Sequence, residues 1–258
     1  MALSDYQQIE YIEGVSGAYI NTGFIMNRYK MCSAVFTFKH DAVHYIYGVN
    51  GNIGGTARNF SFFYSTDIEY RWRLGNTAVA AQAMSPVFAE DTLLTMTQYK
   101  SGTRLYCEVT DEDGTPVLTK YFTDPNAGRP TTGYNTFIMG RNNEGTAAGF
   151  ATGCKLYSIR FYDVSDDSDI FNGIPVREKT GVDPKVGLYD TVTDTVFWSA
   201  SATNFVAGPD VGGGGGVKIY VKVGGAWTLG DPYIKVNGQW EPADNVYIKT
   251  GGNWEPAA

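Results

Sequence analysis

Charge is scarce in this 258-residue sequence, and basic charge scarcer still: charged residues make up 18%, with 20 Lys plus Arg against 27 Asp plus Glu, a net charge of −7. Counterion release at phosphates needs clustered basic side chains, so no nucleic-acid partner is expected, nor an anionic membrane surface. Apolar runs long enough to cross a bilayer are missing, and residues 1–6 carry no basic segment leading into an apolar one. Neither membrane insertion nor a secretion signal is therefore expected. A protein made in a cytoplasm can still act outside a cell if it leaves as part of a larger particle.

Cysteine is limited to Cys32, Cys107 and Cys154, far apart and without a Cys-x-x-Cys pair, which argues against a disulfide framework or a zinc site and for buried free thiols. Runs of Ala, Leu, Glu and Lys that favour long helices are lacking as well. What the chain has instead is aromatic residues, 14% of the total, and 31 glycines. Aromatics suit a half-buried pleated surface and glycine supplies tight turns, so the composition is that of strands and turns.

The pattern along the chain agrees. Apolar and aromatic stretches at 31–39, 45–49, 60–64, 93–99, 104–109 and 156–162 alternate with Gly, Asn and Asp and read as strands. In the last of them Tyr157, Ile159 and Phe161 are expected on one face, opposite Leu156, Ser158, Arg160 and Tyr162. Many short strands without a 3.6-residue apolar period indicate an all-β antiparallel sandwich or jelly roll. Residues 76–89 read as a short helix or a long loop.

Five consecutive glycines at 212–216 have no side chains to pack and mark a tether. The expected organisation is a jelly roll over 1–210, a linker over 211–216 and a distinct module over 217–258. That module repeats itself: Tyr220 to Trp227, Tyr233 to Trp240 and Tyr247 to Trp254 align without gaps, each a strand, a Gly-Gly or Asn-Gly turn and a return strand. A lone hairpin of this size is marginal in water, so the three are expected to pack on one another or on copies from sister chains, with a trimer favoured. Tyr220, Trp227, Tyr233, Trp240, Tyr247 and Trp254 are the candidate assembly residues. The tryptophans are read as a small core in preference to sugar-stacking platforms, and Lys218, Lys222, Lys235 and Lys249 as the wet face.

Residues 11–24, Tyr-Ile-Glu-Gly-Val-Ser-Gly-Ala-Tyr-Ile-Asn-Thr-Gly-Phe, resemble the opening strand of the concanavalin A-like, laminin-G-like jelly rolls of bacteriophage and gut-bacterial surface proteins. Residues 156–163 resemble their late core strand. Val186-Gly187-Leu188-Tyr189-Asp190, continuing through Val196-Phe197-Trp198 to Phe205-Val206-Ala207-Gly208-Pro209, resembles their closing segment. These blocks follow in the family's order across roughly 8–210. At Gly173-Ile174-Pro175-Val176 the chain departs from the family, where many members have an aromatic before the Ile-Pro and a Cys after it. The Tyr-Ile-Lys-Val-Asn-Gly-Gln-Trp units are similar to tandem modules that end phage structural proteins. The resemblance implies a virion or cell-surface binding protein, with the phage particle surface preferred because no secretion signal is seen, and other virion proteins as its partners there.

Several constellations could carry chemistry. Glu108 and Asp111 to Asp113 form an acidic cluster, and retaining glycosidases need two carboxyl groups roughly 5 Å apart, but Asp113-Gly114 reads as a hairpin turn, placing the acids at a solvated tip. His40 and His44 flank another turn and read as exposed loop histidines without a third metal ligand. Residues 51–55, Gly-Asn-Ile-Gly-Gly, read as a turn, lacking the Lys-Ser/Thr of a phosphate loop. Asp163, Asp166, Asp167 and Asp169 crowd one loop, read as solvated acids, with calcium as the alternative. No cofactor or catalytic residue is assigned.

For a sugar, an aromatic platform beside polar groups is required. Tyr64, Tyr70 and Trp72, with Arg71 and Arg73, supply these types in one neighbourhood, the aromatic side of that strand being expected to face the core. Asn142 and Asn143, after Gly140-Arg141, form a second polar loop. Tyr64, Tyr70, Trp72, Asn142 and Asn143 are the candidate ligand contacts. The function expected is a non-enzymatic virion protein whose jelly roll attaches to host-surface glycan or protein; the alternatives are a purely structural capsid-decoration or tail component and, further off, a glycosidase.

Overall fold

The fold is that of a computed structural model describing residues 2–27, 29–53, 56–65, 69–76, 82–84, 89–123 and 131–211, and six short strands between 219 and 256. For 53, 56–57, 65, 69–72, 74–76, 82–84, 117, 122 and the strands beyond 218, the backbone alone is described. Two compact units divide the chain, 1–208 and 209–258.

The strands of the first unit are β1 (Tyr6–Gln8), β2 (Ile12–Glu13), β3 (Ile20–Asn27), β4 (Lys30–Thr37), β5 (His44–Ile53), β6 (Thr56–Ser65) and β7 (Glu69–Asn76). Then come β8 (Gln82–Met84), β9 (Leu94–Ser101), β10 (Arg104–Thr110), β11 (Pro116–Thr123), β12 (Thr131–Ile138), β13 (Arg141–Asn143) and β14 (Thr146–Ala148). The last are β15 (Lys155–Asp163), β16 (Ser168–Glu178), β17 (Val186–Asp190), β18 (Thr195–Trp198) and β19 (Val206–Ala207).

They build two sheets. The first runs β11-β10-β9-β4-β15-β16-β17-β18, with β1 on β16 and β2 between β15 and β19. In the second, β14-β13-β5-β6-β7-β8 is continued by β12, which pairs with β3 and β5. Among the described strands pairing is antiparallel except between β13 and β5. Aromatic side chains of the two sheets meet: Phe36 of β4 lies 5.7 Å from Phe62 of β6, and Tyr47 of β5 stands edge-on to Phe161 of β15 at 5.3 Å. The chain is therefore an all-β sandwich, its core made where these inner faces interlock.

The expected strands are present, several of them longer. Residues 51–53 belong to β5, not to a turn, and 54–55 lie outside the described residues. Within 76–89 the described elements are the end of β7 and the strand β8. The face assignment on β15 is corrected by a bulge. Leu156 pairs with Phe36 and Ser158 with Val35, so Tyr157 is an inserted residue that breaks the alternation. Leu156 consequently enters the core beside Ile159 and Phe161, while Tyr157 packs on Tyr11 at 5.1 Å. Tyr162 is buried too, and its hydroxyl donates to the Gln98 carbonyl.

Gln98 is a fully buried amide in this apolar setting. Its side-chain oxygen accepts from the Cys32 backbone N–H at 3.2 Å and lies 3.1 Å from the Tyr47 hydroxyl, whose oxygen in turn lies 2.8 Å from Gln98 Nε2. A buried amide satisfied on both ends costs little and fixes its neighbours. All three cysteines are buried free thiols. Burial pushes the Cys154 thiol up to about 12 and the Cys32 and Cys107 thiols up as well.

In the second unit each repeat forms its own two-stranded sheet: β20 (Ile219–Val223) with β21 (Ala226–Gly230), β22 (Tyr233–Val236) with β23 (Gln239–Pro242), and β24 (Tyr247–Thr250) with β25 (Asn253–Pro256). Register sets Lys222 opposite Trp227, Lys235 opposite Trp240 and Lys249 opposite Trp254. Opposed residues share one face of an antiparallel pair, so the lysines have no face separate from the tryptophans as the sequence reading supposed. The linker glycines and Lys218 lie outside the described residues.

Candidate functional site

The outer side of the second sheet carries what the sequence scattered over a hundred residues. Strand alternation sends Phe60, Phe62 and Tyr64 of β6 into the core and leaves Asn59, Ser61 and Phe63 on the other face. Register completes three rows there: Tyr45 beside Phe63; Gly48 beside Ser61 beside Arg73; and Asn143 beside Asn50 beside Asn59.

The aromatic row is sandwiched by cations. Tyr45 and Phe63 stack at 4.5 Å with 16° between planes. Arg73 lies over Phe63 at 5.0 Å, and Arg141 over Tyr45 at 5.0 Å, donating from Nη1 to the Tyr45 hydroxyl at 3.1 Å. The order Arg141, Tyr45, Phe63, Arg73 thus crosses four neighbouring strands. Stacking holds each guanidinium plane against its ring. Arg141 Nε is buried and has no hydrogen-bond partner among the described residues.

Glycine makes the stack possible. A Cβ on Gly48 would lie 2.9 Å from Tyr45 Cδ1 and 3.1 Å from Arg141 Cγ; one on Gly149, at φ +59°, would lie 2.5 Å from Tyr45 Cδ2. The Tyr45 ring is therefore gripped from two sides. Alongside, Ser61 Oγ donates to Asn59 Oδ1 at 2.8 Å and Asn50 Nδ2 to Asn143 Oδ1 at 2.8 Å. The result is a band of amide, hydroxyl and guanidinium groups beside ring edges; Tyr45, Phe63, Ser61 and Asn59 are buried within it, and the partly exposed Asn50, Arg73, Arg141 and Asn143 are the groups a ligand could meet.

The sequence candidates divide. Asn143 joins this face. Asn142, next to it, points the other way: it is buried, donating from Nδ2 to the Asn135 carbonyl at 2.9 Å and accepting from the Gly145 N–H at 2.7 Å, so it holds the β13–β14 turn and is no ligand contact. Tyr64 is core, 6.2 Å from Phe38 and stacked on His40 at 4.4 Å, and cannot reach a ligand. Tyr70 and Trp72 are in register with Tyr64 and Phe62, the core-facing positions, and their side chains lie outside the described residues. The sequence reading missed Asn50, which is partly exposed on this face, and the buried Tyr45, Phe63, Asn59 and Ser61 that support it. The signal available was the outward half of each alternation in 44–64, passed over because aromatics were assigned to the core.

Other candidates are spent on structure. His44 is buried, not exposed: Nε2 lies 2.6 Å from Asp41 Oδ1 and Nδ1 3.1 Å from the Phe150 carbonyl. That hydrogen bond holds the Asp41 carboxyl below its usual range. Asp111 Oδ1 accepts from the Asp113 and Thr115 N–H groups, closing the turn in which Gly114 takes φ +76°. Around the acidic loop, Arg160 binds Asp169 at 2.5 Å and Asp167 at 3.3 Å, and Asp163 and Asp166 accept from Ser165 and Ser168. Among the described residues no three His, Cys, Asp or Glu side chains gather as a metal cluster.

Comparison with known proteins adds no family: no family model matches the chain, and no curated protein does. Solved structures that resemble it include the CBM40 of a Ruminococcus gnavus IT-sialidase bound to α2,3-sialyllactose, with TM-score 0.39 and 14% identity over 61% of this chain and 89% of that one. Scytalido-glutamic peptidase with a transition-state analogue inhibitor is another, with TM-score 0.33 and 13% identity over 75% of this chain and 98% of that one. Superpositions this loose leave function to the chain's own residues.

Proposed function

We propose that the 1–208 unit is a non-catalytic glycan-binding jelly roll, displayed on a bacteriophage particle for attachment to the host surface. The observation that carries the binding is the Arg141, Tyr45, Phe63, Arg73 stack with its row of amides, donors held in place beside ring edges on one sheet face. Such a face suits a ligand rich in oxygen acceptors and poor in donors of its own charge, which describes a surface polysaccharide. The virion setting rests on the resemblance of 11–24, 156–163 and 186–209 to phage jelly rolls. In it the three hairpins join sister chains, as a trimer, or dock on other virion proteins. Several weak contacts on one particle then add up to firm adhesion.

The test is binding of the labelled full-length protein to host cells, with and without calcium, and with soluble surface polysaccharide as competitor. Saturable, competable binding that falls in Arg73→Ala and Arg141→Ala supports attachment. Binding that is absent even after artificial trimerisation leaves capsid decoration or a tail component as the account. Release of reducing ends from the polysaccharide, abolished by Glu108→Gln, would make the protein a glycosidase instead.

A further inference from the structure

At the β17–β18 end of the first sheet, away from the face just described, the connection before β17 and the one after β18 enclose a cleft of about 440 Å³. Asp183, Lys185, Trp198, Ser201, Thr203 and Asn204 are among its lining residues. Drug- and sugar-sized ligands occupy recesses of about 300–1,000 Å³, mostly with an apolar wall and a few fixed polar groups.

The wall is Trp198, and its position is set from behind. It pairs in register with Gly187, where a Cβ would come 2.9 Å from Trp198 Cε3, so only glycine lets the indole settle onto β17. Tyr6 meets the indole edge-on, ring centroids 5.7 Å apart at 68°. The ring remains half-buried, with its free part lining the cleft.

The floor is equally fixed. Asn204 Oδ1 accepts from the Val186 N–H at 3.0 Å and the Phe205 N–H at 3.1 Å, while Nδ2 donates to the Pro184 carbonyl at 3.0 Å, tying the two connections together. Ser201 Oγ donates to the Gly17 carbonyl at 2.8 Å and accepts from the Thr203 N–H at 3.1 Å. Every side-chain polar group of Asn204 and Ser201 is thus used in shaping the loop. By contrast the Asp183 carboxylate, the Lys185 ammonium and the Thr203 hydroxyl have no hydrogen-bond or ion-pair partner among the described residues. The cleft therefore offers a rigid indole wall, one acceptor, one donor and one hydroxyl, in a loop that needs no ordering on binding.

We propose that this cleft is a second ligand site, shaped for one uncharged pyranose ring. The apolar C–H face of the sugar lies on Trp198, and its hydroxyls bond to Asp183, Lys185 and Thr203. One acid and one base at the rim cancel in net charge and match the donor-and-acceptor character of neighbouring sugar hydroxyls, whereas the paired arginines of the other face lack an acid. A single ring in an open cleft implies weak, millimolar binding.

The experiment follows the tryptophan indole N–H signals of the full-length protein by NMR during titration with methyl glycosides of glucose, galactose, mannose and N-acetylglucosamine. Trp198→Phe assigns the Trp198 signal. The expected result is a saturable shift of that signal with at least one of these sugars, weakened about tenfold by Asp183→Ala or Lys185→Ala, the loss of one charge-assisted hydrogen bond. Both substituted residues are exposed, so the fold is retained and the unchanged amide spectrum verifies it. Arg73→Ala and Arg141→Ala leave the shift intact, which separates this site from the proposed attachment face. No shift with any of the four sugars, or a shift the two rim variants do not weaken, overturns the proposal.

Discussion

Replacing Gly187 by alanine tests how tightly β18 is laid on β17. The added methyl would stand 2.3 Å from the Phe197 carbonyl oxygen and 2.9 Å from Trp198 Cε3. The oxygen belongs to backbone and cannot swing aside, so β18 must move outward by most of an ångström, straining four residue pairs from Gly187 with Trp198 to Asp190 with Thr195. Overpacking of this kind costs about 1–3 kcal/mol. Removing a glycine from a strand returns about 0.5–1 kcal/mol. The net expectation is destabilisation by about 1–2 kcal/mol. With a urea slope of about 2 kcal/mol/M, the unfolding midpoint falls by about 0.5–1 M. Urea titration monitored by far-UV circular dichroism reads this directly, with Thr119→Ala on the exposed side of β11 as a control expected within about 0.5 kcal/mol of the parent. A Gly187→Ala midpoint indistinguishable from the parent's would show that the two strands are not in the close contact described.

Three further outcomes follow from the same structure. Arg73→Ala and Arg141→Ala each weaken glycan binding about tenfold while shifting stability by less than about 1 kcal/mol, because partly exposed cation–π contacts are worth little to the fold; equal binding by parent and variants in a pull-down refutes the assignment. Gln98→Leu strands the Cys32 N–H inside the core and removes a partner of the Tyr47 hydroxyl, and costs about 3 kcal/mol by denaturant titration, whereas a neutral result would mean that the Cys32 N–H finds another partner. Cys154 and Tyr162 have folded pKa values pushed up to about 12 by burial. Both are acids neutral below their ordinary values near 9 and 10, so the stability that burial confers is present below those values and is lost as pH rises toward 12. Unfolding free energy should fall between pH 9 and 12, and thiol labelling at pH 8 should proceed only as fast as the protein opens; rapid labelling of the native protein would contradict the burial.

The strands were legible because a half-buried strand writes a period of two into its residues. What alternation cannot express is an inserted residue. At Tyr157 the period slips, so Leu156 joins the face of Ile159 and Phe161 and Tyr157 leaves it. Nor does it express partners. Arg73 and Asn143 come to one face because β5 and β6 lie between their strands, a consequence of which edges pair and not of any local preference. The same blindness explains Tyr64, an aromatic near arginines in sequence but on the opposite side of its sheet, and Gln98, a polar residue whose burial is paid for by partners 51 and 66 positions away. The repeat pattern in 217–258 was plain since a hairpin is local, and its turn residues are the strongest short-range signal a chain carries.

An early strand and the last strand of the first unit lie side by side. Ile12 and Glu13 of β2 are paired with Ala207 and Val206 of β19, and β2 lies against β15 as well. A chain emerging from a ribosome therefore cannot finish this edge until nearly the whole unit has been synthesised. Once closed, the sandwich has β2 and β19 as adjacent strands. Evolution can cut such a unit out of one polypeptide and splice it into a surface loop of another without stretching either, which makes sandwiches of this build readily exchangeable.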